Sequence, residues 1–367
     1  MRLALYSPDV PDVPGGVADH TLVLARALAA RGADVAVLAL RGDPARFAPI
    51  PCTVGVRPRS RTGAGLADAL RDAGATAVLV QYVPFLFARH GVAPSLVAAL
   101  RAVRRRGVRV GLFVHEPFVP PTRLPWLVTG LLQRAQLAAL LRLADRAYAP
   151  APALARLVRR WAPSGALVDV APVGATLPRS GLSRAEARRL KGLGEDEVAV
   201  GVFSPSASGF LSDWVVAAHS ATARMPGVRW FLFGRGTDAL EERIGGPDVT
   251  ALGEAPAREI TDTMAAMDVA LAPYVDGLTL RRTAAMLALA HGVATVSSRG
   301  HLFDASLADA ASCAGTAVEF AAAVSDLAAD RGRRNPLAAA GRAFYERAGS
   351  VDVLASRLWH DLADGPA

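Results

Sequence analysis

APYVDGLTLRRTAAMLALAHGVATVSS, residues 272–298, sets a strand, a polar glycine turn, an apolar helix and a second strand one after another. The strand is expected over 267–274 and ends at Asp276 and Gly277. Thr279 is placed to cap a helix over about 280–290, which stops at Gly292. A helix N-terminus behind a glycine turn presents unpaired backbone N–H groups and the positive end of a macrodipole, an arrangement suited to phosphate. Gly277, Leu278 and Thr279 supply those N–H groups in this reading. Arg281 and Arg282 fall in the first helical turn, where a cation opposes the dipole by roughly 0.3 to 1 kcal/mol each. An anionic partner accounts for them; two solvated helix-face arginines are the plain alternative.

The N-terminus, MRLALYSPDVPDVPGGVADHTLVLARALAARGADVAVLAL, reads as strand, Pro/Gly loop, amphipathic helix and buried strand, the opening of a doubly wound α/β domain. Gly15 and Gly16 belong to no GxGxxG pattern with an acid after the second strand, so a nicotinamide dehydrogenase is disfavoured. Further buried strands are expected over 77–81 and 108–114. Their carboxyl ends deliver Gln81, Tyr82, His115 and Glu116, and ligands of open α/β sheets bind at such ends. His115 with Glu116 suits sugar hydroxyls or proton transfer, or the two form a structural pair. A second α/β unit begins at the strand 198–203 and continues through VRWFLFGRG (228–236), VTALGE (249–254) and the opening stretch.

With 367 residues, 52% of them hydrophobic, the chain has material for two domains with substantial cores. Its two cysteines, Cys52 and Cys313, stand far apart without a CxxC, which disfavours disulfide and zinc frameworks. No charged segment followed by an apolar one opens the chain, and no run of 18 apolar residues occurs; a cytoplasmic protein, peripheral at most to the inner membrane face, is expected. Residues 1–180 hold 23 arginines against 10 acids, a net of +13, and residues 181–367 hold 18 basic and 23 acidic residues, a net of −5. The basic clusters at 101–109 and 156–161 suit anionic acceptors or membrane surfaces. No nucleic-acid motif accompanies them, and nucleic acid is not expected as a partner. Between 117 and 148, Trp126, Leu127, Leu131 and Leu132 offer an interfacial surface beside Arg123 and Arg134; a helix turning those leucines to the core is the favoured reading.

The opening stretch resembles the donor-site signature of retaining GT-B glycosyltransferases of family four, in which an acidic residue, seven others and a glutamate precede such a helix. Asp276 falls on the acid and Ala284 on the glutamate, so the second carboxylate is absent. The Gly15–Gly16 loop is similar to the family's first loop beside the donor diphosphate. The resemblance implies an α/β protein of GT-B type, two Rossmann-like domains facing across a cleft: an acceptor domain over 1–178, a nucleotide-sugar domain over 179–350 and a final helix within 351–367 packed back on the first. It implies transfer of a sugar from a nucleotide-activated donor with retention, without metal or cofactor, to a small-molecule, glycan or lipid-linked acceptor, by a monomer or homodimer. Asp276 and His115 would act on the sugar, with Glu116, Gln81 and Tyr82 on the acceptor side. Where the family carries an Arg and a Lys on the donor phosphates, FSPSASGFLSDW has Ala207 and Phe210. Ser204 and Ser206 remain as neutral ligands there, and Arg281 or Arg282 as the replacement charge. Altered chemistry on the same fold, such as cyclitol or amine coupling or nucleotide-sugar processing without transfer, and a non-catalytic partner subunit are the alternatives.

Overall fold

The structure, a computed structural model, describes residues 2–8, 16–39, 53–54, 63–120, 124–204 and 209–363. Two compact units make up the chain, one of 1–172 with 351–367 and one of 173–350. The division falls at Pro172 because Val173 is already buried in the second unit, its N–H donating to the Leu280 carbonyl (3.2 Å).

In the first unit the strands are β1 (Arg2–Ser7), β2 (Asp34–Ala39), β3 (Thr53–Val54), β4 (Ala77–Tyr82), β5 (Arg109–Val114), β6 (Arg146–Ala149) and β7 (Val168–Val170), and the helices are α1 (Gly16–Ala30), α2 (Gly63–Asp72), α3 (Pro84–Phe87), α4 (Pro94–Arg105), α5 (Leu124–Leu141) and α6 (Pro152–Arg159). All pairings are parallel, in the order β3-β2-β1-β4-β5-β6-β7. Every residue of β4 is buried, as expected where helices cover both faces of a parallel sheet.

The second unit carries α7 (Arg184–Leu190), β8 (Val198–Phe203), α8 (Ser212–Thr222), β9 (Val228–Phe233), α9 (Asp238–Ile244), β10 (Val249–Gly253), α10 (Ala257–Ala266), β11 (Val269–Ala272), α11 (Thr283–His291), β12 (Ala294–Ser298), β13 (Ser312–Ala314), α12 (Ala317–Ala329) and α13 (Arg331–Phe344). Its sheet runs β10-β9-β8-β11-β12-β13, again parallel, over a core built on Trp230, Phe320, Val200 and Leu271.

The last helix, α14 (Val351–Ala363), belongs to the first unit. Leu354, Leu358 and Leu362 recur every four residues as a fully buried stripe, and α14 packs on α1 and β5. Glycine at position 111 makes room for it: a Cβ there would lie 2.9 Å from Leu79 and 3.2 Å from Leu362. The Tyr148 hydroxyl donates to Asp361 (2.9 Å), and burial followed by this carboxylate raises the phenol pKa, so the hydroxyl stays protonated.

At the amino ends of the second sheet one carboxylate organises three cations. Asp268, 8% exposed, accepts from Arg184 Nη2 (2.7 Å), Arg188 Nη1 (2.7 Å) and the Ala199 N–H (2.9 Å), with Arg334 Nε 3.4 Å away. The knot ties α7 and α13 to β8 and β11. Removing one partner of a buried ion network leaves uncompensated charge behind. Asp268→Ala is therefore expected to cost roughly 3 to 5 kcal/mol in urea denaturation. Asp326→Ala, which breaks only the exposed pair with Arg333, should stay within about 1 kcal/mol of the parent.

Candidate functional site

Polar side chains collect at the carboxyl ends of both sheets, because the strands behind them are buried on both faces. In the second unit the loop after β11 decides the geometry. Gly277 adopts φ +87°, a left-handed conformation open to glycine, and a Cβ there would stand 2.4 Å from the Gly300 nitrogen. The two glycines therefore pack back to back. The loop is then locked by Leu302 N–H to the Asp276 carbonyl (2.9 Å), Gly277 N–H to Tyr274 (2.9 Å) and Leu278 N–H to Ser298 (3.0 Å).

These bonds correct the first reading of the loop. The N–H groups of Gly277 and Leu278 already serve protein carbonyls and are not phosphate donors. Thr279 does not cap the helix: it is wholly buried, and its Oγ1 has no partner among the described residues. The helix begins at Thr283, three residues later than expected, with Arg282 at the N-cap (φ −84°, ψ 89°) and Arg281 before it. Two contacts set this start: Thr279–Arg282 closes as a turn, Arg282 N–H to Thr279 carbonyl at 3.1 Å, and the Leu280 carbonyl is turned to the N–H of Val173, distant in sequence, and not along the helix. The unpaired N–H groups at the positive end of α11 thus belong to Thr283, Ala284 and Ala285.

Neither arginine opposes the dipole from inside the helix. Both face Asp276, which is 8% exposed: Arg282 Nη2 bonds its Oδ1, and Arg281 Nη2 lies 3.7 Å from Oδ2. The Arg282 guanidinium also stacks on Tyr274, 4.0 Å from the ring centroid, and burial pushes that phenol up to about 12. Phe210 bridges Tyr274 in antiparallel fashion and meets its ring edge-on at 5.6 Å. A Cβ on Gly209 would sit 3.9 Å from Arg282 Nη2. Arg282 therefore stands beside the loop where Phe210 replaces the expected cation, with its charge shared with Asp276. Arg281 is the more open of the two, its side chain 28% exposed against 16% for Arg282.

Ser204 ends β8 at 1% exposure, its N–H donating to the Phe233 carbonyl (3.1 Å). Gly234, at φ +95°, backs onto its carbonyl. Ser206, Ala207 and Gly15 lie outside the described residues, as does Arg123.

In the first unit, His115 follows β5 and its Nε2 is 2.7 Å from the Oε1 of buried Gln81 at the end of β4. In this orientation Nε2 carries the proton and Nδ1 is the basic nitrogen. Gln81 Nε2 is buried without a partner among the described residues. Glu116 is exposed. Tyr82 is corrected: it is fully buried, its hydroxyl accepts from Gln136 Nε2 (3.0 Å), and burial raises its pKa to about 12, so it supports the core and does not face an acceptor. One residue was missed. His20, buried on α1 four positions after Gly16, sets its ring 5.2 Å from His115, edge to face, and 5.1 Å from Phe113. Its signal in the sequence was a polar residue on the buried face of an amphipathic helix.

Comparison with known proteins bears on the fold. Residues 14–177 match Glycosyltransferase Family 4. Sucrose-phosphate synthase from Thermosynechococcus elongatus superposes over 99% of both chains at 17% identity with a TM-score of 0.67. HepE from Anabaena, solved with UDP and glucose, covers 100% of both chains at 14% identity and a TM-score of 0.69. WaaG, a glycosyltransferase involved in lipopolysaccharide biosynthesis, covers 99% of this chain and 100% of its own at 15% identity and a TM-score of 0.67. No curated protein matches the sequence. The α/β fold with two parallel sheets is that of the GT-B glycosyltransferases.

The two arginines are expected to separate on mutation. Arg281→Ala should weaken nucleoside diphosphate binding by roughly 1.5 to 3 kcal/mol in calorimetry while thermal stability hardly moves. Arg282→Ala strands the Asp276 carboxylate and should cost roughly 3 kcal/mol of stability. Equal behaviour of the two variants would contradict this division.

Proposed function

We propose that this chain, which has the GT-B fold and whose residues 14–177 match Glycosyltransferase Family 4, is a glycosyltransferase that moves a hexose from a nucleotide-activated donor to an acceptor with retention at the anomeric carbon. The observation that carries the reading lies in the second unit: the positive end of α11, the Arg281 guanidinium and the braced carboxylate of Asp276 meet beyond the carboxyl end of β11. A departing diphosphate develops negative charge. Preorganised N–H groups and a guanidinium stabilise it without solvent rearrangement, and this chemistry calls on no metal or cofactor.

In this mechanism Thr283, Ala284 and Ala285 point N–H groups at the diphosphate, and Arg281 neutralises it. Asp276 orients the sugar hydroxyls, and Arg282 holds that carboxylate in place. His115, with its proton placed on Nε2 by Gln81, offers Nδ1 to a sugar or acceptor hydroxyl. Glu116 stands exposed beside it for an acceptor contact. Ala284, buried at 3% exposure where the family has its second acid, has no group to grip ribose, so the nucleotide is held mainly through its phosphates. The acceptor is a small molecule, glycan or lipid-linked sugar, and the protein works in the cytoplasm as a monomer or homodimer. No observation of the site favours altered chemistry or a non-catalytic role.

A thermal-shift panel of UDP-, GDP-, TDP- and ADP-sugars tests this reading. One donor at 100 times its dissociation constant should stabilise the protein by roughly 2.7 kcal/mol. Asp276→Asn should abolish transfer while leaving nucleoside diphosphate binding within a few-fold. Silence across the panel would remove the nucleotide-sugar assignment.

A further inference from the structure

Helix α5 is inside out over its first half. Leu127, Val128, Leu131 and Leu132 share one face and are exposed by 42%, 64%, 64% and 51%, with exposed Ala135 in line and Trp126 (38%) at its edge. The inward positions are taken by two glutamines, Gln133 and Gln136, followed by Leu137, Leu140 and Leu141. The favoured reading of the sequence, leucines to the core, is thereby corrected, and the inversion has a physical cause. Gln133 Oε1 accepts from the Val119 N–H (2.8 Å), while Gln136 accepts from the Ala93 N–H (2.5 Å) and donates to the Gly91 carbonyl (3.3 Å) and Tyr82. These amides satisfy irregular backbone after β5 and between α3 and α4, which no leucine can do. Arg134 likewise turns away from the leucines and stacks on Phe118, 4.1 Å from its centroid.

Charge around this face is one-sided. Residues 73–144 contain nine arginines and a single acid, Glu116, a net of +8 that equals the formal charge of the whole chain. Helix α4 packs against α5 and exposes Arg101 and Arg105, neither of which has a side-chain partner among the described residues; Arg104 and Arg106 are paired, with Asp145 and Asp68. Phe85, 42% exposed, stands with exposed Arg89 in the segment that the glutamines tie to α5. An apolar face of this kind signals a partner.

We propose that the α4–α5 face docks this protein on an anionic lipid bilayer, with Leu127, Val128, Leu131 and Leu132 in the acyl boundary and Arg101 and Arg105 on the headgroups. A second copy is the poorer occupant, since it would bring one +8 segment against another. Nucleic acid matches the arginines but has no use for four exposed aliphatic side chains. Among the described residues no helix is long and apolar enough to cross a membrane, so the contact is one of lying on the surface. The docking rests on this face alone and does not depend on the transfer reaction.

Co-sedimentation of the full chain with phosphatidylcholine vesicles, with and without phosphatidylglycerol, at low and high salt tests the proposal. The protein should partition onto the anionic vesicles, and less so as salt rises. Leu131→Glu with Leu132→Glu, and separately Arg101→Ser with Arg105→Ser, should each lower the partition coefficient roughly ten-fold or more, with unchanged melting because all four sites are exposed. Wild type that ignores anionic vesicles, or binding that both double variants retain, overturns it. So does a dimer broken by the leucine variant in a protein that ignores lipid, which would assign the face to a second copy.

Discussion

The two parallel sheets leave little room for charge in their buried interiors. Parallel strands covered on both faces, such as β4 with every residue buried, cannot hold a charge in their interior without several kcal/mol of desolvation. Charge is displaced to strand ends. At the amino ends of the second sheet it becomes structure, in the three cations around Asp268. At the carboxyl ends it becomes a site, in Asp276 with its two arginines and in His115 with Gln81.

Asp276 shows how one constraint sets several roles. A carboxylate at 8% exposure needs a cation close by, and the loop supplies two. Arg282, nearer and stacked on Tyr274, is spent on that task. Arg281 lies farther from the carboxylate and is the more exposed of the two. The same pairing explains how Phe210 is accommodated where a cation is expected: the guanidinium beside Gly209 comes from the loop after β11, and the aromatic packs on the tyrosine beneath it.

The first unit applies the rule in reverse on α5. Backbone after β5 and between α3 and α4 needed donors and acceptors from a neighbouring helix, and Gln133 and Gln136 met the need from the inward face. Leucines then remained outside, next to a basic helix. An apolar surface is thus the consequence of satisfying buried polar groups, and its retention calls for a partner that uses it.

Much of this was legible in the linear order of residues. Apolar runs at 77–82, 109–114, 198–203 and 228–233 are short and bounded by turn residues, as doubly buried strands are, and Gly277 and Gly292 marked turn and helix end by local chemistry alone. Tertiary contacts decided the rest. The Val173 N–H on the Leu280 carbonyl delayed α11 to Thr283, Tyr274 and Asp276 together captured Arg282, Gln136 drew Tyr82 into the core, and backbone far from α5 in sequence chose which of its faces turned inward. Periodicity reports which residues share a face. Which face is buried depends on the hydrogen bonds that distant segments require, and those exist only once the chain has folded.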